Sequence, residues 1–144
     1  MARVLHNPLA GSVGPEWGPS SGSSGAAEFH RRLPGYRATP LVPAPLLAAR
    51  FGVGNVLVKD ESNRYGLPAF KMLGASWAAY CLLVERLGRS PVWRTIDDLA
   101  AAFAPLRPLE LVTATDGNHG RAVARVARLF GLGARVFVAE GTAP

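Results

Sequence analysis

The carboxyl-terminal stretch constrains this chain most. Residues 109–115 read as a strand, 116–120 as a tight polar turn, 121–130 as an amphipathic helix and 134–139 as a second strand. Val123, Val126, Ala127 and Phe130 fall on one side of that helix, and Gly131 and Gly133 stop it. A strand, a glycine-rich turn, a helix and a second strand make a βαβ unit, whose crossover is nearly always right-handed. The chain is therefore α/β with a parallel strand pair. So small a parallel sheet keeps exposed edges, and the pattern reads as an incomplete domain.

Upstream, residues 1–28 are rich in Gly, Ser and Pro and read as a flexible arm. Residues 33–36 signal a turn, 39–41 an extended stretch, and Pro45 opens a short helix over 46–51, ended by Gly52 and Gly54. Residues 55–59 suggest a short buried strand, and 60–68 a loop at its carboxyl end. Leu73, Trp77, Tyr80, Cys81, Val84 and Leu87 follow the helical period and predict a long helix with Gly88 as its stop. Cys81 lies on that apolar face and reads as core. Thr95 with Asp98 resembles a capping box opening a helix through Phe103, after which Pro105 and Pro108 break the chain.

Composition narrows the function classes. The 144 residues, 49% hydrophobic, can build one modest core. No uninterrupted apolar run is long enough for a membrane span, and the start does not read as a secretory signal. A single cysteine forbids an internal disulfide and a cysteine-built zinc site, and it suits a reducing cytoplasm. Net charge is +6, from 14 Arg and two Lys against ten acidic residues. The arginines are scattered. Arg121, Arg125 and Arg128 share one helix face, which reads as solvated and not as a nucleic-acid footprint.

Two places can carry chemistry. The turn Asp116-Gly117-Asn118-His119-Gly120 leaves a strand's carboxyl end and enters a helix, where ligands of open α/β folds bind. Its glycines allow close approach, and free N–H groups favour an anion. An ordinary turn built from Asn and Asp stands level with that reading. The second place is Lys71, at the start of the long helix. The helix dipole disfavours a cation there, a setting that favours the neutral amine needed for a Schiff base. A solvent-facing lysine is the plain alternative. Asp116 and His119 form a candidate acid–base pair, with a cap and a structural histidine as the alternatives. No P-loop, metal-ligand spacing or Ser-His-Asp order is present.

Phe70-Lys71 followed by Gly117-Asn118-His119-Gly120 resembles the pyridoxal-phosphate enzymes of the tryptophan-synthase β-like fold (fold type II). Within them the chain is most similar to the diaminopropionate ammonia-lyases. Residues 29–36 with 39–41, 58–71 and 113–121 carry the likeness, which runs from residue 29 to the end. The resemblance implies that Lys71 holds pyridoxal 5'-phosphate and carries a proton, with Phe70, Gly117, Asn118, His119 and Gly120 around the cofactor. Asn118 would hydrogen-bond the ring's phenolic oxygen. Asp116, where threonine and serine dehydratases tend to have Ser, would be the second catalytic group. The implied reaction is α,β-elimination of 2,3-diaminopropionate to pyruvate and ammonia, in a homodimer at full length. Residues 29–144 would be the amino-terminal part of that fold, truncated before the phosphate-binding loop and unable to turn over alone. Another dehydratase of the fold, or a non-catalytic remnant that binds a partner, are the alternatives.

Overall fold

The computed structural model describes residues 23–142. In chain order it contains α1 (Ser23–Arg32), β1 (Leu41–Pro43), α2 (Pro45–Phe51), β2 (Leu57–Lys59), α3 (Lys71–Leu87) and α4 (Ile96–Ala102). A 3-10 turn (Ala104–Leu106), β3 (Glu110–Ala114), α5 (Asn118–Leu129) and β4 (Gly133–Phe137) complete it. No helix among the described residues is long and apolar enough to cross a membrane.

The βαβ unit forms as its pattern dictates. β3 and β4 pair in parallel, from Glu110 opposite Gly133 to Ala114 opposite Phe137. Their connector α5 buries Ala122, Val126 and Ala127, and Phe130 just beyond its end is fully buried. Val123 is only half-buried. Thr95 caps α4: its hydroxyl accepts from the Asp98 N–H at 3.1 Å, and the Asp98 carboxylate accepts from the Thr95 N–H at 2.8 Å. Gly88 closes α3 in the left-handed conformation.

α3 packs on α5, and α1 packs on α3. A series of rings ties these layers together. Phe29 of α1 lies 4.7 Å from Tyr80 of α3, Tyr80 6.4 Å from Phe103, and Phe103 5.5 Å from Phe130. Met72, Leu83, Leu99 and Val126 fill the space around them.

Four expectations change. α1 takes in Ser23–Glu28, which the Gly/Ser composition assigned to the arm. Gly25 sits against the Trp77 indole, where even an added Cβ would be in ordinary contact at 3.4 Å. The remainder of that arm lies outside the described residues. The strand expected to be buried, β2, is exposed. It pairs antiparallel with β1 alone, so Leu57 and Val58 have a partner strand but no covering layer among the described residues. α3 turns a different stripe inward than its large apolar residues suggest: Met72, Ser76, Ala79 and Leu83 are the buried set. Ser and Ala let a neighbouring helix approach closely, so the bulkier Leu73, Trp77, Tyr80 and Val84 flank the contact half-buried. Cys81, read as core, is exposed as a result.

Candidate active site

Lys71 is the first residue of α3. Phe70 before it already has helical backbone angles and offers no side-chain cap. The lysine is exposed, and its Nζ sits 4.8 Å from the centre of the Phe70 ring, within cation–π range. Asn118 is likewise the first residue of α5, so the helix begins three residues earlier than the expected start at Arg121.

Gly117 is the N-cap of α5 and supplies no side-chain cap, so the first-turn N–H groups have no side-chain acceptor from it. Its own N–H donates to Thr115 Oγ1 at 3.3 Å. The position a Cβ would take at Gly117 is open, whereas at Gly120 it is filled. There a Cβ would lie 2.6 Å from Thr115 Cγ2 and 2.9 Å from Val136 Cγ1. Gly120 therefore serves close helix–strand approach, while Gly117 keeps the helix entrance clear. Both neighbours of Gly120 are β-branched and stiff. Gly120→Ala is thus expected to cost about 1–3 kcal/mol through overpacking, read as a lower urea midpoint at unchanged slope. An unshifted midpoint would mean that β4 yields freely.

Asp116, Gly117 and Gly120 line one cavity of about 310 Å³, with Thr115, Arg121 and Val136. It lies at the carboxyl ends of β3 and β4, where the βαβ unit was expected to place a ligand. His119 lines a different cavity of about 400 Å³, between α3, β3 and α5. Asp116 and His119 thus line different cavities. Lys71, Phe70 and Asn118 line neither cavity.

The loop before Lys71 carries a polar cluster that spacing alone did not reveal. Arg64 is buried, with 6% exposure, and grips the Glu61 carboxylate with two donors at 2.6 Å each. It also donates to Arg37 O and Thr39 Oγ1, both at 2.8 Å. The Thr39 hydroxyl donates to Glu61, and Lys59 Nζ donates to Thr39 O at 2.6 Å. Tyr65, at φ 56°, points its buried ring to His30 and donates from its hydroxyl to His30 O at 2.8 Å. His30 Nε2 in turn meets Leu73 O at 2.9 Å, the only role open to it there being donor. Burial holds the His30 imidazole below its ordinary value, and burial pushes the Tyr65 phenol up to about 12. The one advance signal was a Glu and an Arg three residues apart in the loop.

Hydrogen bonds from the Arg64 guanidinium pull the Glu61 carboxyl from 4.5 down to about 2. A carboxyl depressed on folding stabilises the folded state above its unfolded value, and that stability is lost as pH falls from about 4.5 toward 2. Linkage bounds the effect at about 3 kcal/mol, and solvent screening lowers it to about 1–2 kcal/mol. Glu61→Gln is expected to flatten the acid limb of stability against pH in urea titrations. A limb of unchanged slope would put the acid sensitivity elsewhere.

Residues 32–144 match the model of the family described as pyridoxal-phosphate-dependent enzymes, and the chain belongs to that family, with its mixed α/β fold type II architecture. Among curated proteins it is 42% identical to the diaminopropionate ammonia-lyase of Escherichia coli strain K12, over 82% of this chain and 29% of that protein. It is also 42% identical to the Salmonella typhimurium enzyme of the same name, over 79% of this chain and 29% of the relative. The chain thus spans about three-tenths of the length of these relatives. The crystal structure of the Escherichia coli diaminopropionate ammonia-lyase in apo form superposes with a TM-score of 0.76 at 41% identity, covering 86% of this chain and 33% of that one. That enzyme in complex with D-serine gives the same TM-score, with 31% of its chain covered. Its complex with an aminoacrylate-PLP azomethine reaction intermediate gives 0.69.

The residues present fit part of a pyridoxal-phosphate site. An exposed amine stands at the first turn of α3, and α5 offers an uncapped N-terminus with open space at Gly117. Of the two ion pairs among the described residues, Arg64–Glu61 and Arg135–Glu110, neither engages Lys71 or Asp116.

Proposed function

We propose that this chain supplies the lysine-bearing part of a diaminopropionate ammonia-lyase, which eliminates across the α,β bond of 2,3-diaminopropionate to give pyruvate and ammonia. The observation that carries the reading is the pair of motifs at two helix starts, Lys71 on α3 and Asp116 to Gly120 at α5, in a chain 42% identical to such lyases. Residues 29–144, with α1 extending them back to Ser23, form the amino-terminal part of the fold. The reading extends to a homodimer in the cytoplasm.

Pyridoxal phosphate, when bound, supplies the electron sink for loss of the α-proton and the β-amine. Lys71 would hold the cofactor through its Nζ and carry a proton. Asn118 would hold the cofactor ring through its side-chain amide. Asp116 presents a carboxylate where a dehydratase would present a hydroxyl. It exchanges a proton either at the substrate's α-carbon or with its second amino group, which leaves more readily when protonated.

The test is to incubate the chain with pyridoxal phosphate, reduce with borohydride and map the adduct by mass. An adduct on Lys71 supports the reading. No adduct, or equal adducts on Lys59 and Lys71, overturns it for this chain. Asp116→Ser in a lyase carrying this segment is expected to shift preference from diaminopropionate toward serine and threonine. An unchanged preference would remove Asp116 from substrate choice.

A further inference from the structure

The reading of Lys71 as the cofactor lysine leaves open what holds that lysine in place. It is exposed at the start of its helix, has no ion pair among the described residues and has no side-chain cap before it. The chain on either side, however, is tied down. Upstream, Arg64 and Leu67 exchange backbone hydrogen bonds of 2.9 and 3.0 Å, closing a tight turn whose central residues are Tyr65 and Gly66. Both central residues have positive φ, 56° and 76°. The Arg64 side chain then fixes that turn to Arg37 and Thr39. Downstream, His30 grips the Leu73 carbonyl in the first turn of α3. Tyr65 joins the two holds, because its hydroxyl donates to the backbone carbonyl of the same His30.

We propose that Arg64, Tyr65 and His30 are positioning residues that close a ring of hydrogen bonds around the segment carrying Lys71 and set where its amine is presented. The ring runs from Arg64 through Tyr65 to His30, from His30 to Leu73, and back along the chain through Lys71 and Leu67 to the turn. A non-glycine residue at positive φ is held there only when its surroundings over-determine it. Tyr65 meets that condition through its buried ring and its hydroxyl. The Arg64 guanidinium is the fitting group for its own place, since its planar fork meets a carboxylate, a carbonyl and a hydroxyl at once.

This inference rests on the proposed function, and its test separates the two. The full chain is treated with pyridoxal phosphate and borohydride, and the ratio of adduct on Lys71 to adduct on Lys59 is measured. Lys59 is the internal reference, because it bonds Thr39 and not His30. Tyr65→Phe removes one hydroxyl and keeps the ring. The ratio is expected to fall about fivefold, the change set by one lost hydrogen bond. Amide exchange at Leu73, whose N–H bonds Phe70 O at 3.0 Å in the first turn of α3, is expected to rise, with exchange in the last turn of α3 unchanged. Arg64→Lys keeps the charge without the fork and is expected to raise exchange at the same amide. A Lys71 adduct in the wild type with an unchanged ratio in Tyr65→Phe overturns the positioning role alone. Exchange rising evenly along α3 also overturns it, since that is the mark of general loosening. A wild type without a Lys71 adduct overturns the proposed function and this inference with it.

Discussion

Replacing Lys71 by alanine is expected to remove the trapped pyridoxal adduct from α3 while leaving the fold intact. Lys71 is exposed and is the first residue of its helix, so its side chain contributes no core packing. A cation at a helix N-terminus opposes the dipole, and alanine is the better helix former. The variant should therefore be as stable as the wild type or more stable by about 0.3–1 kcal/mol. Loss of adduct cannot then be blamed on unfolding. Lys71→Arg sharpens the point, because it keeps the positive charge but has no neutral amine at working pH. Peptide mapping after reduction, beside a urea titration of each variant, checks both halves. An undiminished total adduct in Lys71→Ala would mean that the aldehyde is taken up elsewhere and that the start of α3 has no special reactivity.

How far the residues foretold the structure depended on how local the determining physics is. The βαβ unit was legible because strand, turn and helix each carry their own period, and Thr95 with Asp98 announced α4 through a contact three residues long. Lys71 and the Asp116–Gly120 turn stood out by residue type at helix starts. The burial of β2 was misjudged because apolar residues say that a face can be covered, not that a layer lies over it. The inward stripe of α3 was misjudged because Ser76 and Ala79 carry little hydrophobic weight, yet they are what lets another helix come close. Arg64 and Tyr65 escaped notice, and His30 showed no partner by spacing, for a different reason. Their partners lie 27, 35 and 43 residues away, and no local spacing encodes such contacts. Gly120 also leaves no room for a Cβ against Thr115 and Val136, a close approach to β4 that no local spacing encodes.

Phe103→Ala is expected to have the largest effect on stability, about 3–5 kcal/mol, because it removes a fully buried ring and leaves a cavity. Phe103 ends α4, and its N–H bonds Leu99 O at 3.1 Å, so its backbone is fixed and cannot follow a collapsing side chain. Its ring stands between Tyr80 of α3 and Phe130 beyond α5. Those two helices begin with Lys71 and Asn118. The loss would be a large share of the roughly 5–15 kcal/mol that a domain of this kind possesses. Phe103→Leu keeps most of the volume and should cost less than about 1.5 kcal/mol if the site repacks. Urea unfolding of both variants, followed by adduct mapping under folding conditions, separates stability from presentation of the lysine. If Phe103→Ala costs under about 1 kcal/mol, the aromatic series is not what joins the layers. The parallel pairing of β3 with β4 would then have to hold α5 in place, and α3 would owe its position to the polar ring around Arg64.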